Sequence, residues 1–275
     1  MTQKFSEKIA SSLSEDGLFT GGIHVFDSID STNAWSLEQL KQGRDLPFVC
    51  IADHQSRGRG RRGRHWLSPP GANIYMSVAW RFKLPVDSLG MLSLAQAVAV
   101  IKALKHIGIN DAWLKWPNDV IIDDKKIAGI LIETGGVHAN GCDVVTGIGL
   151  NYRMPENIPF DTDMRWTDLA HSVHGDLPGR SKLISVLLNQ VVSMYRNYQA
   201  GVSAFLPDIK RELEVLKGRD VNVRLENGET VTGAVLGINA RGELRVQVSG
   251  NERVFNSADV SLRQRDDQLE AGDIC

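Results

Sequence analysis

Residues 47–82, PFVCIADHQSRGRGRRGRHWLSPPGANIYMSVAWRF, place a basic, glycine-rich loop between two apolar segments. Both segments, 47–53 and 73–82, have the composition of buried strands. Between them, residues 57–64 read RGRGRRGR, with five arginines, three glycines and no acidic residue. Glycine leaves backbone N–H groups open and tolerates positive φ, and arginine offers planar pairs of donors. This composition therefore favours a nest around phosphate or carboxylate groups.

Two other interpretations of this Arg/Gly loop (residues 57–64) compete on composition alone. One is a solvated RGG-type segment that binds nucleic acid, and the other is a basic surface loop without a ligand. The loop lies between two apolar strands and is followed at once by Trp66 and by the PPG sequence at 69–71. A disordered segment is not normally inserted at such a place, so we expect an ordered loop that binds anions.

The bulk composition excludes several classes of protein. The 275 residues allow one large domain with a small one, and 31 Lys+Arg against 33 Asp+Glu leave a net charge of -2. Any attraction to nucleic acid or phosphate must therefore come from local clustering. Cys50, Cys142 and Cys275 form no CxxC pattern, which predicts free thiols in a reducing compartment. We also see no signal peptide and no apolar run of the roughly 18 residues that a membrane helix needs, so we expect a cytoplasmic enzyme.

Periodicity and turn residues predict the remaining elements. After Lys217 the composition changes to short β-rich runs separated by turn signals, which predicts a small antiparallel barrel at 218–264 and a frayed tail at 266–275. We therefore predict two domains, 1–217 and 218–275. The expected strands are 22–26, 47–53, 73–82, 120–122, 127–133 and 143–152, and the expected helices begin near Ser31 or Thr32 and span 91–107, 181–198 and 202–216.

Four further motifs have the residue types that bind polar ligands, although each has an ordinary structural explanation. Ser31-Thr32-Asn33 can cap a helix, residues 115–119 (KWPND) can form a turn, and Lys126 can be a solvated hairpin lysine. Residues 126–133 (KIAGILIE) and 147–151 (GIGLN) add glycines to apolar strands, where another backbone or a ligand can approach closely. Taken singly, these signals are weak.

Several common catalytic patterns are missing from the sequence. The GIGLN motif at 147–151 is not GxGxxG, and neither GxxxxGK[ST] nor GxSxG occurs anywhere in the sequence, so we find no support for Rossmann, Walker or nucleophile-elbow chemistry. His171 and His174 form a lone HxxH without a cysteine or acidic residue at zinc spacing. We treat the seven histidines as surface or loop residues.

The order and spacing of the motifs resemble the biotin–protein ligase family, which includes biotin–[acetyl-CoA-carboxylase] ligase and holocarboxylase synthetase. Residues 22–155 carry the resemblance through motifs, and 218–264 carry it through architecture. It implies an α+β fold, in which a mixed β-sheet with flanking helices, like that of class II aminoacyl-tRNA synthetases, is followed by a small C-terminal SH3-like β-barrel. It further implies a two-step reaction: biotin and ATP form biotinyl-5'-AMP, and biotin is then transferred to a lysine of an acceptor protein.

The resemblance also assigns roles to individual residues. Lys126 and Arg61 would be catalytic, and Trp66 could stack on or cover the adenine. Arg59 would anchor the loop as well as contact the ligand, whereas Arg57 and His65 receive no role. The residues expected to contact biotin are Ser31, Thr32, Asn33, Gln55, Arg59, Gly60, Arg61 and Lys126. The residues expected to contact ATP or the adenylate are Arg64, Trp66, Lys115, Asn118, Asp119 and Asn151.

The implied small molecules are ATP with Mg²⁺ as co-substrate and biotin as substrate, without a tightly bound cofactor and without a protein cluster for the metal. The implied partner is a biotin carboxyl carrier protein; a homodimer is left open, and no membrane is expected. Some bacterial members of the family have an N-terminal winged-helix domain of about 60 residues. Only about 21 residues precede the first strand here, so we expect a monofunctional type that does not bind DNA.

Two alternatives remain for the function. A lipoate–protein ligase shares the catalytic fold, but the Arg/Gly loop and the small barrel resemble the biotin group more. A nucleic-acid-binding module could use the Arg/Gly loop with the barrel as a platform. However, residues 218–264 hold only one aromatic residue, Phe255, which makes a poor stacking surface.

Overall fold

Two β-sheets organise the protein in the computed structural model, which describes residues 5, 9, 19–156, 165–173, 176–225, 228–256 and 260–264, the last five by their backbone. The strands of the larger sheet are β1 (Gly22–Phe26), β2 (Phe48–Ala52), β3 (Asn73–Phe82), β4 (Trp113–Lys115), β5 (Asp119–Ile122), β6 (Lys125–His138) and β7 (Gly141–Asn151). Their spatial order is β1-β2-β3-β7-β6-β5-β4. Strands β1 and β2 are parallel and every other pair is antiparallel, so the sheet is mixed as expected.

Helices cover both faces of this sheet. They are α1 (Thr32–Lys41), α2 (Leu92–His106), α3 (Leu169–Ser172), α4 (Arg180–Ala200) and α5 (Leu206–Leu213). Alternate residues of β2 and β7 point to opposite faces: Phe48 and Val145 pack with residues of α1, whereas Val49 and Val144 join the larger cluster that includes α2 and α4. The face that carries α1 is the one on which the candidate site lies.

The smaller sheet confirms the expected C-terminal barrel-like unit. Its strands are β8 (Asp220–Leu225), β9 (Thr230–Ile238), β10 (Leu244–Val248), β11 (Asn251–Phe255) and β12 (Val260–Gln264), in the order β11-β10-β9-β8-β12. All of its pairs are antiparallel, and the arrangement is consistent with an SH3-like fold. The predicted frayed tail at 266–275 lies outside the described residues.

Most of the expected elements are present, but one predicted helix is wrong, one strand was not predicted and one strand is longer than predicted. The single helix predicted over 202–216 is instead a 3₁₀ turn (Val202–Phe205), α5 and a second 3₁₀ turn (Glu214–Leu216). Pro207 explains the break, because proline has no N–H and clashes with the preceding turn, so it is tolerated only where a helix begins. Strand β4 was missed since it is only three residues long, and β6 extends on both sides of the predicted 127–133.

The helix α2 together with the 3₁₀ turn before it, Val86–His106, is long and apolar enough to cross a membrane by length and composition. However, 61% of its most apolar window is buried inside the protein. Eleven residues of α2 itself are buried, as is typical of the central helix of a hydrophobic core.

The small sheet is attached to the large one at the edge formed by β4 and β5. The indole Nε1 of Trp116 donates a hydrogen bond of 3.0 Å to the carbonyl oxygen of Gly242 in the β9–β10 turn. A Cβ atom at Gly242 would lie 2.6 Å from Met91, so the turn approaches the start of α2 closely. Arg219 also forms an ion pair of 3.1 Å with Asp124 in the β5–β6 turn. One hydrophobic cluster accordingly extends through both units.

Candidate active site

The Arg/Gly loop folds as a tight hairpin between β2 and β3. Arg59 and His65 form an isolated antiparallel bridge, and the Gly60 N–H donates to the Arg64 carbonyl at 2.7 Å. At the tip, Arg62 and Gly63 have positive φ values of 56° and 72°. At the base, a Cβ on Gly58 would lie 2.3 Å from the Trp66 carbonyl oxygen, so glycine is required there. The glycines thus allow a turn that brings several guanidinium groups to one place.

Beneath the loop lies a cavity of about 380 Å³ that is open to solvent on one side. The loop forms most of its wall, and Leu131 and Glu133 of β6 form the opposite wall. A cavity of this size between a cationic loop and a sheet can hold a small molecule that carries an anionic group.

A polar cluster lies where α1 begins, next to this cavity. Ser31 caps the helix and accepts from the Ala34 N–H, as the sequence predicted. Gln55 accepts from the Thr32 N–H at 2.9 Å with Oε1 and donates to Ser68 at 3.0 Å with Nε2, which fixes the orientation of its amide. The four polar residues of this cluster are all buried: Ser31, Thr32, Gln55 and Ser68. Buried polar groups of this kind provide directional contacts for a ligand.

Arg59 and Asn33 meet on one carboxylate oxygen. Arg59 Nη2 and Asn33 Nδ2 each lie 2.8 Å from Oε2 of Glu133 in β6. The ion pair ties the Arg/Gly loop to the sheet, which supports the loop-anchoring role expected for Arg59. Arg57, which had no assigned role, pairs with Asp30 at 3.3 Å on the surface.

Arg61 extends from the Arg/Gly loop to the residue before β5. Its Nη1 donates to Oδ1 of Asn118 at 3.3 Å, and the Asn118 side chain and main chain are both hydrogen-bonded to Ile130. Burial of the guanidinium and the nearby charges of Arg62 and Arg64 lower the pKa of Arg61, while Asp119 acts to raise it. An anionic ligand would offset this concentration of positive charge.

Lys126 lies at the same end of the sheet. Its Nζ is 2.6 Å from Oδ1 of Asp119, and both side chains are largely buried. The ammonium also lies 5.2 Å from the centre of the Trp66 ring, a cation–π distance. The backbone of Lys126 bonds to Arg165 and Thr167, so both its main chain and its side chain are positioned.

The Trp66 ring lies on a part of the sheet where side chains are missing. Gly129 and Gly149 are register partners in β6 and β7. A Cβ on Gly149 would lie 2.4 Å from the ring, and one on Gly129 would lie 2.9 Å from it. On the same face, a Cβ on Gly147 would lie 2.3 Å from Oδ1 of Asn33. We call Gly129, Gly147 and Gly149 the glycine floor; it leaves room for flat groups to lie against the sheet.

The remaining predicted contact residues either bond to other parts of the protein or lie at the rim of the cavity. Asn151 is buried, and its amide donates to the Thr167 carbonyl at 2.9 Å, so it supports the segment beside Lys126. Lys115 pairs with Asp119 in the β4–β5 register. The Arg64 side chain is exposed at the rim of the cavity. Roles for these residues, and for Gly60, in binding the nucleotide or biotin stay predictions.

The sequence analysis did not identify Ser77 or Glu133 as residues of the site. It also did not show that the three glycines of the glycine floor form one surface. Ser77 is a polar residue inside the apolar strand Asn73–Phe82, and Glu133 ends the KIAGILIE motif. An unexpected polar residue in a buried strand is the signal that could have indicated both. The alternate spacing of Gly147 and Gly149 indicated one strand face, but only the register shows that Gly129 lies beside them.

The described part of the chain contains no group of three or more His, Cys, Asp or Glu side chains that could hold a metal ion. Asp119 is a carboxylate of the site itself. Magnesium commonly binds through one or two carboxylates, water and the phosphates of a substrate. The residues present therefore fit a magnesium ion that arrives with a nucleotide, with Asp119 as the protein carboxylate.

A mixed sheet with a cationic hairpin, a glycine floor and a following small barrel defines a class of two-unit protein whose site can bind small anionic molecules. Comparisons with known proteins agree with this class. Residues 25–151 match the sequence model of the biotin/lipoate A/B protein ligase family. Residues 218–263 match the biotin protein ligase C-terminal domain.

Individual relatives show which members of this broad family the chain resembles. The chain is 32% identical to the bifunctional ligase/repressor BirA of Salmonella typhimurium, over 90% of this chain and 76% of that protein. It is 34% identical to the biotin–[acetyl-CoA-carboxylase] ligase of Mycobacterium tuberculosis, over 86% and 88%. Among solved structures, the biotin protein ligase from Aquifex aeolicus in complex with biotin and ATP is 27% identical with a TM-score of 0.74, covering 90% of this chain and all of that one. The chain therefore belongs to the biotin–protein ligase family.

Proposed function

We propose that this protein is a biotin–protein ligase that activates biotin with ATP and transfers it to a lysine of a biotin carboxyl carrier protein. The observation that carries the proposal is that Arg61 and Lys126 converge on the adjacent residues Asn118 and Asp119 beside the glycine floor, while Arg59 lines the cavity under the Arg/Gly loop. The family and its biotin- and ATP-bound structural relative support the same activity.

The first step brings two anions together. A carboxylate oxygen of biotin attacks the α-phosphorus of ATP, the bond to the bridging oxygen breaks, and pyrophosphate leaves with the bond electrons. Fixed positive charge in a partly enclosed site reduces the repulsion between the anions and stabilises the charge of the transition state. We assign this role to Arg61 and Lys126, and magnesium would neutralise phosphate charge from the position beside Asp119.

In the second step, the neutral amine of the acceptor lysine attacks the acyl carbon of biotinyl-5'-AMP, and AMP leaves. The protein needs no covalent nucleophile for this chemistry. Its contribution is to hold the adenylate: Thr32, Asn33 and Gln55 with Ser31 on the biotin side, and Trp66, Asn118 and Asp119 on the nucleotide side. Arg64, Lys115 and Asn151 belong to our nucleotide-side assignment, and Gly60 to the biotin side.

We further propose that residues 1–217 form the catalytic domain and 218–275 the C-terminal domain, and that the enzyme acts in the cytoplasm as a ligase without repressor activity. A gel-shift assay in which the protein binds a specific DNA duplex tightly would contradict the last point. A homodimer is compatible with the proposal and would be tested by sedimentation.

The deciding experiment incubates the purified protein with ATP, Mg²⁺, labelled biotin and a biotin carboxyl carrier domain. We expect label on the acceptor lysine, and no label when that lysine is replaced by arginine. A parallel reaction with labelled lipoate and a lipoyl acceptor domain serves as the comparison. Transfer of lipoate without transfer of biotin would overturn the proposal.

A further inference from the structure

A chain of polar side chains runs from Glu133 to Thr32 beside the glycine floor. Its members are hydrogen-bonded in the order Glu133, Asn33, Ser77 and Thr32. Ser77 is fully buried, and Asn33 and Thr32 are 3% and 4% exposed. Because so little water reaches them, each proton in this chain must lie between two protein atoms or point at a ligand.

The first link determines the orientation of the Asn33 amide. Nδ2 of Asn33 lies 2.8 Å from Oε2 of Glu133 and 3.3 Å from the Leu131 carbonyl oxygen. The carboxylate, ion-paired with Arg59, and the carbonyl oxygen are both acceptors. The amide nitrogen must therefore face them, and Oδ1 must face Ser77.

The second link determines the position of the Ser77 proton. Ser77 Oγ lies 2.5 Å from Oδ1 of Asn33 and 2.7 Å from Oγ1 of Thr32. A hydroxyl has one proton, and Oδ1 of Asn33 can only accept. The Ser77 proton is therefore used on Asn33, and the short contact to Thr32 has a proton only if Thr32 donates it.

Thr32 has one other neighbour that could take its proton, Oε1 of Gln55 at 3.1 Å. That acceptor already receives the Thr32 N–H at 2.9 Å. If the Thr32 hydroxyl turned to Gln55, two oxygens of Thr32 and Ser77 would stay 2.7 Å apart without a proton between them. Donation from Thr32 to Ser77 avoids this repulsion and leaves only lone pairs on Thr32 for a ligand.

We propose that Ser77 and Glu133 are positioning residues that make Thr32 an obligate hydrogen-bond acceptor, and so select a ligand ring that carries N–H groups. This inference rests on the proposed function, because the ureido ring of biotin supplies such N–H donors. Gln55 Oε1 is a second acceptor beside Thr32, so these two side chains together present acceptors to the ring. A ring without N–H, such as the dithiolane of lipoate, cannot satisfy them.

The test uses the full-length enzyme and two cyclic carbamate analogues of biotin, in each of which oxygen replaces one ureido N–H. We measure kcat and KM for pyrophosphate release with biotin and with each analogue. For the wild-type enzyme we expect at least one analogue to be strongly rejected, since a buried acceptor would face an oxygen. Ser77→Ala frees the Thr32 proton to point at that oxygen, so the preference for biotin should fall about tenfold, roughly the effect of one hydrogen bond.

Two measurements separate positioning from a general structural effect. In Ser77→Ala the change in preference should appear as a lower KM for the analogue, with kcat for biotin changed by about twofold or less. The matched control is Thr146→Val, which removes a buried hydroxyl from β7 near Tyr195, on the opposite face of the sheet. That variant should keep the wild-type preference.

Glu133→Gln provides an independent test if Ser77→Ala does not fold. A glutamine can present its amide nitrogen to Asn33, so the Asn33 amide can reverse, and the preference should fall about threefold. A general loss from the released Arg59 affects biotin and analogue alike and cancels in the ratio. Unchanged preference in every folded variant overturns the inference, whereas a wild-type enzyme that fails to activate biotin overturns the proposed function instead.

Discussion

At the scale of single residues, Lys126 is held by contacts that its neighbour Lys125 does not make. The Lys126 side chain is 21% exposed and paired with Asp119, whereas Lys125 is exposed in the same strand. A largely buried pair of charges beside an aromatic ring has a fixed position before a ligand arrives. Fixed charge is what stabilises a developing negative charge at low reorganisation cost.

We expect Lys126→Ala to lower the rate of biotinyl-5'-AMP formation by roughly 10²–10³-fold, because a fixed cation at the reacting oxygens is lost. Stability should also fall, by up to roughly 3–5 kcal/mol, because the largely buried Asp119 carboxylate loses its partner. Single-turnover pyrophosphate release measures the rate, and urea denaturation checks folding. Lys125→Ala is the matched control. Equal rates for the two alanine variants would contradict the assignment of Lys126.

The glycine floor leads to a second prediction at this scale. A Cβ on Gly149 would lie 2.4 Å from Trp66, so Gly149→Ala should destabilise the protein by about 1–3 kcal/mol through overpacking. The penalty should disappear when Trp66 is also replaced by alanine, and a double-mutant cycle by urea denaturation measures this coupling. Gly136→Ala in β6 is the control, since its Cβ would make only ordinary contacts at 3.6 Å. A penalty independent of Trp66 would show that another neighbour resists the methyl group.

The candidate contact residues at this scale were named from the resemblance to the family, and residue types alone left each of them with an ordinary structural explanation. The structure brings Thr32 and Gln55, two of the residues expected to contact biotin, into one hydrogen-bonded cluster at the start of α1, and their contact with biotin stays a prediction. Glu133 and Ser77 could not be assigned, because their importance depends on which atoms face them across the sheet. A sequence shows residue types but not the direction of a hydroxyl proton.

At the scale of elements, β1, β2 and α1 meet in an aromatic cluster that has one ionisable member. The His24 ring lies 4.9 Å from the Trp35 ring and 6.0 Å from the Phe48 ring. Burial, and secondly the charge of Arg44, lower the pKa of His24 below its ordinary value of 6.5. The folded state therefore prefers neutral His24 more than the unfolded state does.

This difference predicts a pH dependence of stability. Above about pH 6.5 His24 is mostly neutral in both states, and the folded state has no penalty. As the pH falls below that value, the unfolded state takes up the proton first, so the free energy of unfolding decreases. We expect this decrease between pH 7 and pH 5 to be smaller in His24→Phe, measured by urea denaturation. Parallel pH profiles for the two proteins would mean that other groups cause the loss.

Elements were predicted best where periodicity is long and clear. Strand Asn73–Phe82 has the bounds predicted for it, and α2 differs by one residue at each end. Strand β4 could not be recognised, because a strand of three residues is too short to show an alternation of apolar and polar side chains. The prediction of a single helix over 202–216 was wrong, because the amphipathic pattern of the sequence continues through the break at Pro207.

At the scale of the whole molecule, the small sheet is joined to the catalytic sheet at a point close to the site. Trp116 is 1% exposed and bonds to Gly242, and it is followed in sequence by Pro117, whose carbonyl accepts from Ser93. Next come Asn118 and Asp119, which contact Arg61 and Lys126. The junction between the two units thus borders the part of the site that we assign to the nucleotide.

We expect Trp116→Phe to destabilise the protein by roughly 2–4 kcal/mol, because it leaves a carbonyl without its donor and removes buried volume. Since one hydrophobic cluster spans both sheets, both should lose structure in the same transition. Circular dichroism and proteolysis during urea denaturation measure this. Trp80→Phe, at a half-buried ring that packs on Tyr195, is the control and should have the smaller effect. Separate transitions of the two sheets in the wild-type protein would contradict a shared core.

The sequence by itself determined the class of the protein. A run of RGRGRRGR between apolar strands, followed by KWPND and KIAGIL, was sufficient to indicate a biotin–protein ligase, because the order and spacing of these motifs resemble that family. Only the tertiary structure decided which of those cations share a cavity, and that Gly129 lies beside Gly149 under Trp66. It also revealed the chain of hydrogen-bonded side chains that runs from Glu133 through Asn33 and Ser77 to Thr32. These relations depend on strand register and on three-dimensional proximity between residues up to 100 positions apart, which no local pattern encodes.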